Sequence, residues 1–260
     1  MDAFIEKAVE RVIRAMHANL GDPITIDDMA RTAMFSKFHF SRMFQRVTGI
    51  SPGRFLSALR LQEAKRLLLS GSLTVADISY LVGYNSIGTF SSRFRMSVGV
   101  SPTTYRQYGG YVAPLEDYQP PRWERGERSV VRGHVHHDAG HRPVHIILGL
   151  YSDRIAQGDP VGHTIIDSAG EFIIRGVPAG TWHLLAHSVD VDMDEPRGAY
   201  VAAFGPFTVS ASSLVRPIDV WLRPRHIFDP PALLAQLDEA MWTDKARVPG
   251  GADKVALPGA

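Results

Sequence analysis

"FSRMFQRVTGISPGRF" runs from Phe40 to Phe55, and "FSSRFRMSVGVSPTTY" from Phe90 to Tyr105. Phe, Ser, Phe, Gly, Ser and Pro recur in register, and an aromatic residue closes both stretches. The match extends backwards with one residue of slippage: Thr25 corresponds to Thr74, Met29 to Ile78 and Phe35 to Tyr84. Each copy reads as a short helix opened by a Thr cap, a turn, a second helix, and then Gly-x-Ser-Pro. That is a helix-turn-helix unit written twice. Solenoids need about three copies to bury their faces, so a pair serves another purpose.

The second helix of each copy divides into two faces. With Phe40 at zero on a wheel of roughly 100° per residue, Phe44 and Val47 lie beside it, while Phe38, Arg42 and Gln45 point the opposite way. In the second copy Phe90 and Phe94 face inward, and Gly88, Ser92 and Arg95 face outward. Arg can give two donors to guanine, and Gln a donor and an acceptor to adenine, so the outward face has the chemistry to read bases. A solvated face would look the same on either helix alone, but it explains the duplication poorly. Between the copies, "RFLSALRLQEAKRLLLSG" reads as one helix ending at Gly71. Its length, roughly 24 Å at 1.5 Å per residue, separates the two outward helices by much of the ~34 Å between successive major-groove segments.

Charge divides in the same place. Residues 1–110 carry 14 Lys+Arg against 8 Asp+Glu, whereas residues 111–260 carry 14 against 19, so +6 is joined to −5. A basic first half predicts a polyanion partner for that half only. An apolar fraction of 45% and a charged fraction of 21% are those of a globular protein. No apolar run approaches the ~20 residues of a membrane helix, and the amphipathic start "MDAFIEKAVERVIRAM" is not that of a signal peptide. Cytoplasm is the expected compartment.

Four segments are expected. Residues 1–107 form the helical domain, opened by a helix with Phe4, Ile5, Ala8, Val9, Val12, Ile13 and Met16 on one stripe. Residues 108–128, rich in Gly and Pro, form a linker. From 129 to 225 the period changes to two, as in Val144, Ile146, Leu148 and Leu150, and turn signals recur; about seven short strands predict a β-sandwich. Residues 226–260 hold a C-terminal helix, beginning in "PPALLAQLDEAMW", and a tail. The fold class is therefore an all-α double helix-turn-helix domain followed by an all-β seven-stranded sandwich.

In the β half, Tyr151, Trp182, Tyr200, Phe204, Phe207 and Trp221 are read as sandwich core rather than pocket lining. Nine of the eleven histidines lie between His134 and His226. His134, His136, His183 and His187 are the residues a Zn or Cu ion would find there. Half-buried sheet histidines are the favoured reading, so no metal or other cofactor is expected. "DVDMDE", Asp190 to Glu195, lacks the glycine and terminal glutamate of a calcium loop and reads as a solvated acidic loop. No catalytic triad, phosphate loop or carboxylate pair stands out, and an enzyme is not expected.

"SKFHFSRMF", "TGISP", "RLQEAKRLLL", "DISYLVGYNS", "FSSRF" and "VGVSPTTYR" occur in the order found in the AraC family of bacterial transcription regulators, which residues ~5–106 resemble. The resemblance implies a DNA operator as partner. It places the contacts on Ser36, Lys37, Phe38, Ser41, Arg42, Gln45 and Arg46 of the first copy, and on Ser86, Ile87, Gly88, Thr89, Ser92, Arg93 and Arg95 of the second. Ser92 stands where the family often has Arg, which shifts the second helix from base reading toward phosphate grip. The stretch "TIIDSAGEFIIRGVPAGTW" resembles carboxypeptidase-regulatory-like modules with a transthyretin-type sandwich, which implies binding rather than catalysis. The combined expectation is a transcription regulator whose β half senses a small-molecule effector or mediates homodimerisation; alternatively, that half only docks another protein.

Overall fold

The computed structural model describes residues 3–110, 129–137, 144–189, 200–210 and 215–234. Seven helices come first: α1 (Ala3–Ala18), α2 (Ile26–Ala33), α3 (Lys37–Thr48), α4 (Pro52–Ser70), α5 (Val75–Leu81), α6 (Ile87–Val98) and α7 (Pro102–Gln107). The sequence repeat is a repeat of hydrogen bonds. Thr25 and Thr74 each close a capping box, with Asp28 and Asp77, at the start of α2 and α5. The turns match too: Phe35 N–H bonds Ala30 O as Tyr84 N–H bonds Ser79 O. The left-handed residue of that turn is Met34 in one copy and Gly83 in the other. Asn85 is the extra residue that creates the slippage.

The closing aromatic of each phrase is explained by packing. Phe40, Phe44 and Phe55 form a chain of edge-to-face rings with centroids 5.6 and 5.4 Å apart. Phe90, Phe94 and Tyr105 repeat the chain at 5.7 and 5.7 Å, the first pair tilted and the second edge-to-face. All six side chains are buried, and such pairs add about 0.5–1.5 kcal/mol each beyond their area. Gly49 and Gly99 end α3 and α6 in the left-handed region, at φ 83° and 95°. Pro52 and Pro102 then begin α4 and α7, where a missing N–H costs nothing. On α1 the expected stripe is buried from Ala8 to Met16, but Phe4 is exposed, its ring set edge-on to Phe35 at 5.9 Å.

Seven strands follow: β1 (Ser129–His137), β2 (Val144–Tyr151), β3 (Gly162–Ile166), β4 (Glu171–Val177), β5 (Gly180–Val189), β6 (Tyr200–Val209) and β7 (Ile218–Pro224). They run β3-β2-β5-β6-β7-β1-β4, with β1 and β7 parallel and the other pairs antiparallel. The β6–β7 link is short, Tyr200 to Pro224 and Val201 to Arg223, so a three-stranded and a four-stranded layer face each other. Ile146, Leu148, Leu150, Leu184 and Ala186 fill the space between, as their alternation predicts.

Three expectations change. Phe204 and Trp221 are not core: Val220 and Leu222 point inward on β7, which turns Trp221 outward, 62% exposed. Tyr151 is buried, but outside the sandwich, against Ala156 and Leu185. From Pro230 to Leu234 the chain has no helix; the rest of the expected C-terminal helix and tail lies outside the described residues. So do most of the linker and the acidic loop, although Tyr108 to Gly110 form a turn after α7.

The halves also share a core. Ile147, on the face of β2 opposite Ile146, packs with the helical core, as do Ile155, Leu233 and Leu234. The β2–β3 connection, residues 152–161, joins both repeats. Asp153 pairs with Arg54 at the start of α4, and Gly158 N–H bonds Ser97 O at the end of α6. Ala156 O accepts from the N–H groups of Leu233 and Leu234 at 2.8 and 3.2 Å. The ammonium of Lys65, buried on α4, donates to Leu233 O at 3.1 Å.

Candidate nucleic-acid interface

The cations of the helical half sort by what holds them. Arg14, Arg31, Lys37, Arg54 and Arg66 pair with carboxylates. Arg60, Lys65 and Arg106 donate to backbone carbonyls. Among the described residues, Lys7, Arg11, Arg42, Arg46, Arg93 and Arg95 have neither kind of partner. Four of these six lie on α3 and α6. A guanidinium left unpaired in water is free to meet phosphate or a base edge at little desolvation cost.

Their placement follows from the buried face of each helix. Phe40, Met43 and Phe44 anchor α3, while Phe90 and Phe94 anchor α6. Ser36, Lys37, Phe38, Arg42, Gln45 and Arg46 are consequently exposed, and Ser41 is half-buried. On the second unit Ser86, Ile87, Gly88, Thr89, Ser92, Arg93 and Arg95 are all exposed. Phe38 is 85% exposed, an apolar ring left in water at the start of α3, suited to a thymine methyl. Two side chains are already engaged: the Lys37 ammonium lies 3.1 Å from Asp27, and Ser41 Oγ donates to Lys37 O at 2.9 Å. Lys37 must leave Asp27 to reach a phosphate. At Gly88 an added Cβ would meet only Ser86 Oγ, at 3.8 Å, so the outward face of α6 has an open notch.

These faces are exposed with the β half in place, because that half meets the far ends of α3 and α6. Periodicity did not reveal that contact. It is made by a loop, partly through backbone atoms, and no side-chain pattern marks it.

The histidine candidates do not converge. His134 and His136 lie on β1, ring centroids 4.5 Å apart, with His136 stacked on Trp221 and 3.0 Å from Asp219. His183 and His187 lie on β5, in the other layer. Among the described residues no three His, Cys, Asp or Glu side chains could share a metal ion. Burial pushes His187 down to about 4, aided by Arg225 and opposed by Asp229. It is a neutral imidazole facing the junction of the halves.

The sequence family described as a helix-turn-helix domain matches residues 29–108. The HTH-type transcriptional regulator YbfP of Bacillus subtilis is 26% identical over 172 residues, 65% of this chain and 56% of its own length. The HTH-type transcriptional activator AarP of Providencia stuartii is 28% identical over 103 residues, 40% of this chain and 76% of that protein. The helical half is an AraC-type helix-turn-helix domain. An HTH-type regulator of Haemophilus influenzae is 40% identical over 82 residues, 32% of this chain and 28% of its own length. A solved AraC-type regulator from Chromobacterium violaceum is 26% identical, covering 43% of this chain and 100% of its own, with a TM-score of 0.40. This chain thus spans about half the length of YbfP. Among the described residues no helix is long and apolar enough to cross a membrane.

Proposed function

We propose that the chain is a sequence-specific, DNA-binding transcription regulator acting in the cytoplasm. The AraC-type domain grips operator DNA through α3 and α6, and the β half governs that grip. The observation that carries this reading is the set of four unpaired arginines, Arg42, Arg46, Arg93 and Arg95, on the outward faces of two matched helices. The nineteen residues of α4 span roughly 28 Å at 1.5 Å per residue, which suits two groove contacts on one side of a duplex. One chain would then bind a site that need not be palindromic.

Within this reading α3 supplies base contacts from Phe38, Arg42 and Gln45, with Ser36, Lys37, Ser41 and Arg46 around them. The second unit, with Gly88 and Ser92 at its centre, leans on phosphates through Arg93 and Arg95. Selection of genomic fragments by the full chain, followed by anisotropy titration of the winners, tests the reading. Salt-sensitive binding that favours the selected fragments over scrambled duplex supports it. Equal affinity for both, or none, contradicts it.

The β half, which resembles carboxypeptidase-regulatory-like modules, regulates either by binding an effector or by pairing two chains. A docking role is the alternative. It draws on Trp221, an exposed indole stacked on His136 with 4.7 Å between ring centroids. Sedimentation of the full chain and of a Trp221→Lys variant distinguishes pairing through this face from a monomer.

A further inference from the structure

A cavity of about 460 Å³ opens where the two halves meet, within the roughly 300–1,000 Å³ typical of small-molecule sites. It is bounded by the last turn of α3, the β2–β3 connection, β5 and β6, and the segment after β7. Val47, Ile155, Leu185, Val201 and Phe228 give it an apolar wall. Its polar groups differ in how free they are. Arg223 is held by Asp229 through two bonds, both 2.6 Å, and His226 N–H adds a third to that carboxylate at 2.7 Å. His187 is neutral.

Arg154 is different. Among the described residues its guanidinium has no hydrogen-bond or ion-pair acceptor, while its side chain lies over Gly49 at the end of α3. There it meets the negative end of the helix dipole and nothing stronger. Among the charged residues that line the cavity, Arg223 is taken up by Asp229, which leaves Arg154 and Glu6. An apolar wall plus one free guanidinium suit a monoanion with a hydrocarbon body.

We infer that this cavity binds a small organic monocarboxylate, with Arg154 holding the carboxylate. Occupancy draws Arg154 from the end of α3, so the ligand acts on the first reading helix. The site itself needs only the cavity; its effect on DNA rests on the operator-binding reading above.

Calorimetry of the full chain with benzoate and 4-phenylbutanoate, against benzamide as the neutral isostere, tests the site. Heat is expected from both carboxylates and none from benzamide. Arg154→Gln should weaken binding at least tenfold with unchanged circular dichroism. Ala203→Phe, which fills the cavity from its exposed rim, should abolish binding and decides the matter if Arg154→Gln does not fold. No heat from either carboxylate at millimolar concentration, equal binding of benzamide, or native affinity in both variants would overturn the inference. Anisotropy with operator DNA is the separate arm. Bound carboxylate with unchanged DNA affinity refutes the coupling, whereas absent DNA binding refutes the operator reading and leaves the heats standing.

Discussion

Gly49 and Arg154 meet across the junction of the two halves: a Cβ on Gly49 would lie 2.7 Å from Arg154 Cδ. The residue that ends α3 therefore favours glycine for two reasons. Its φ is 83°, and the arginine occupies the space. Gly99, its counterpart at φ 95°, has only Leu234 Cδ1 nearby, at 3.7 Å.

Gly99→Ala should thus cost only the left-handed strain, about 1–2 kcal/mol. Gly49→Ala should cost more in the wild-type chain, and about the same as Gly99→Ala once Arg154→Ala has removed the clash. Urea denaturation of the single and double variants gives the coupling, expected at about 0.5–1 kcal/mol or more. Strictly additive losses would show that the two residues are not in contact.

Arg42 and Arg95 should fail in different ways. Arg42→Ala is expected to cost about 1–3 kcal/mol on the preferred operator and to relax preference at one base pair. Arg95→Ala should weaken all duplexes evenly and lower the salt slope by about 1. Titrations of both variants on the operator and on single-substituted duplexes check this division. Equal, sequence-independent losses in both would remove it.

Gly88 occupies the first turn of α6 with room for a side chain. Gly88→Ala should stabilise the chain by about 0.5 kcal/mol, since it removes unfolded-state freedom without a clash. Gly88→Arg should tighten DNA binding and steepen its salt dependence by about 1, because a cation enters the open notch. Denaturation and salt titration read the two effects separately, and a destabilised Gly88→Ala would mean the notch is not open.

Stability should fall in mild acid. His187 binds a proton below about 4 in the folded chain and near 6.5 when unfolded. The unfolded chain therefore takes up more protons between these values, and stability is lost as pH falls from about 6.5 to 4. The loss from this group is up to about 3 kcal/mol. His17 and His183 are also lowered by burial and act in the same direction. His187→Leu should flatten most of the slope between pH 6.5 and 4, leaving the carboxylate-driven loss below it. An unchanged slope in that variant would place the imidazole in water.

How much of this was legible depended on whether a feature is local. The doubled unit could be read because each part is fixed within a few residues: Thr25 with Asp28, Thr74 with Asp77, and Phe, Phe and an aromatic at fixed spacing. The outward faces of α3 and α6 followed from the same periodicity. The sandwich strands could be read wherever one face was buried. The junction could not. Ile147 sits out of phase in "VHIILGLY" because both faces of β2 are covered, which blurs the alternation that Ile146, Leu148 and Leu150 otherwise keep. The β2–β3 connection acts through Gly158 N–H and Ala156 O, and backbone groups leave no mark on the sequence. Leu233 and Leu234 suggest a helix when read alone, whereas Ala156 and Lys65 hold them in an irregular segment. Trp221 faces outward because its smaller neighbours Val220 and Leu222 face inward, and bulk alone does not set strand phase.

The central claim is that both reading helices meet DNA through unpaired arginines, and its most direct test is the salt dependence of binding by the full chain. Arg46, Arg93 and Arg95 as phosphate contacts contribute about −2.7 to the slope of log K against log salt, at −0.9 per contact. Arg46→Gln should make that slope shallower by about 0.9, and Arg93→Gln with Arg95→Gln by about 1.8. A slope that either variant leaves unchanged would contradict the account, because one of the two helices would then be standing clear of the duplex.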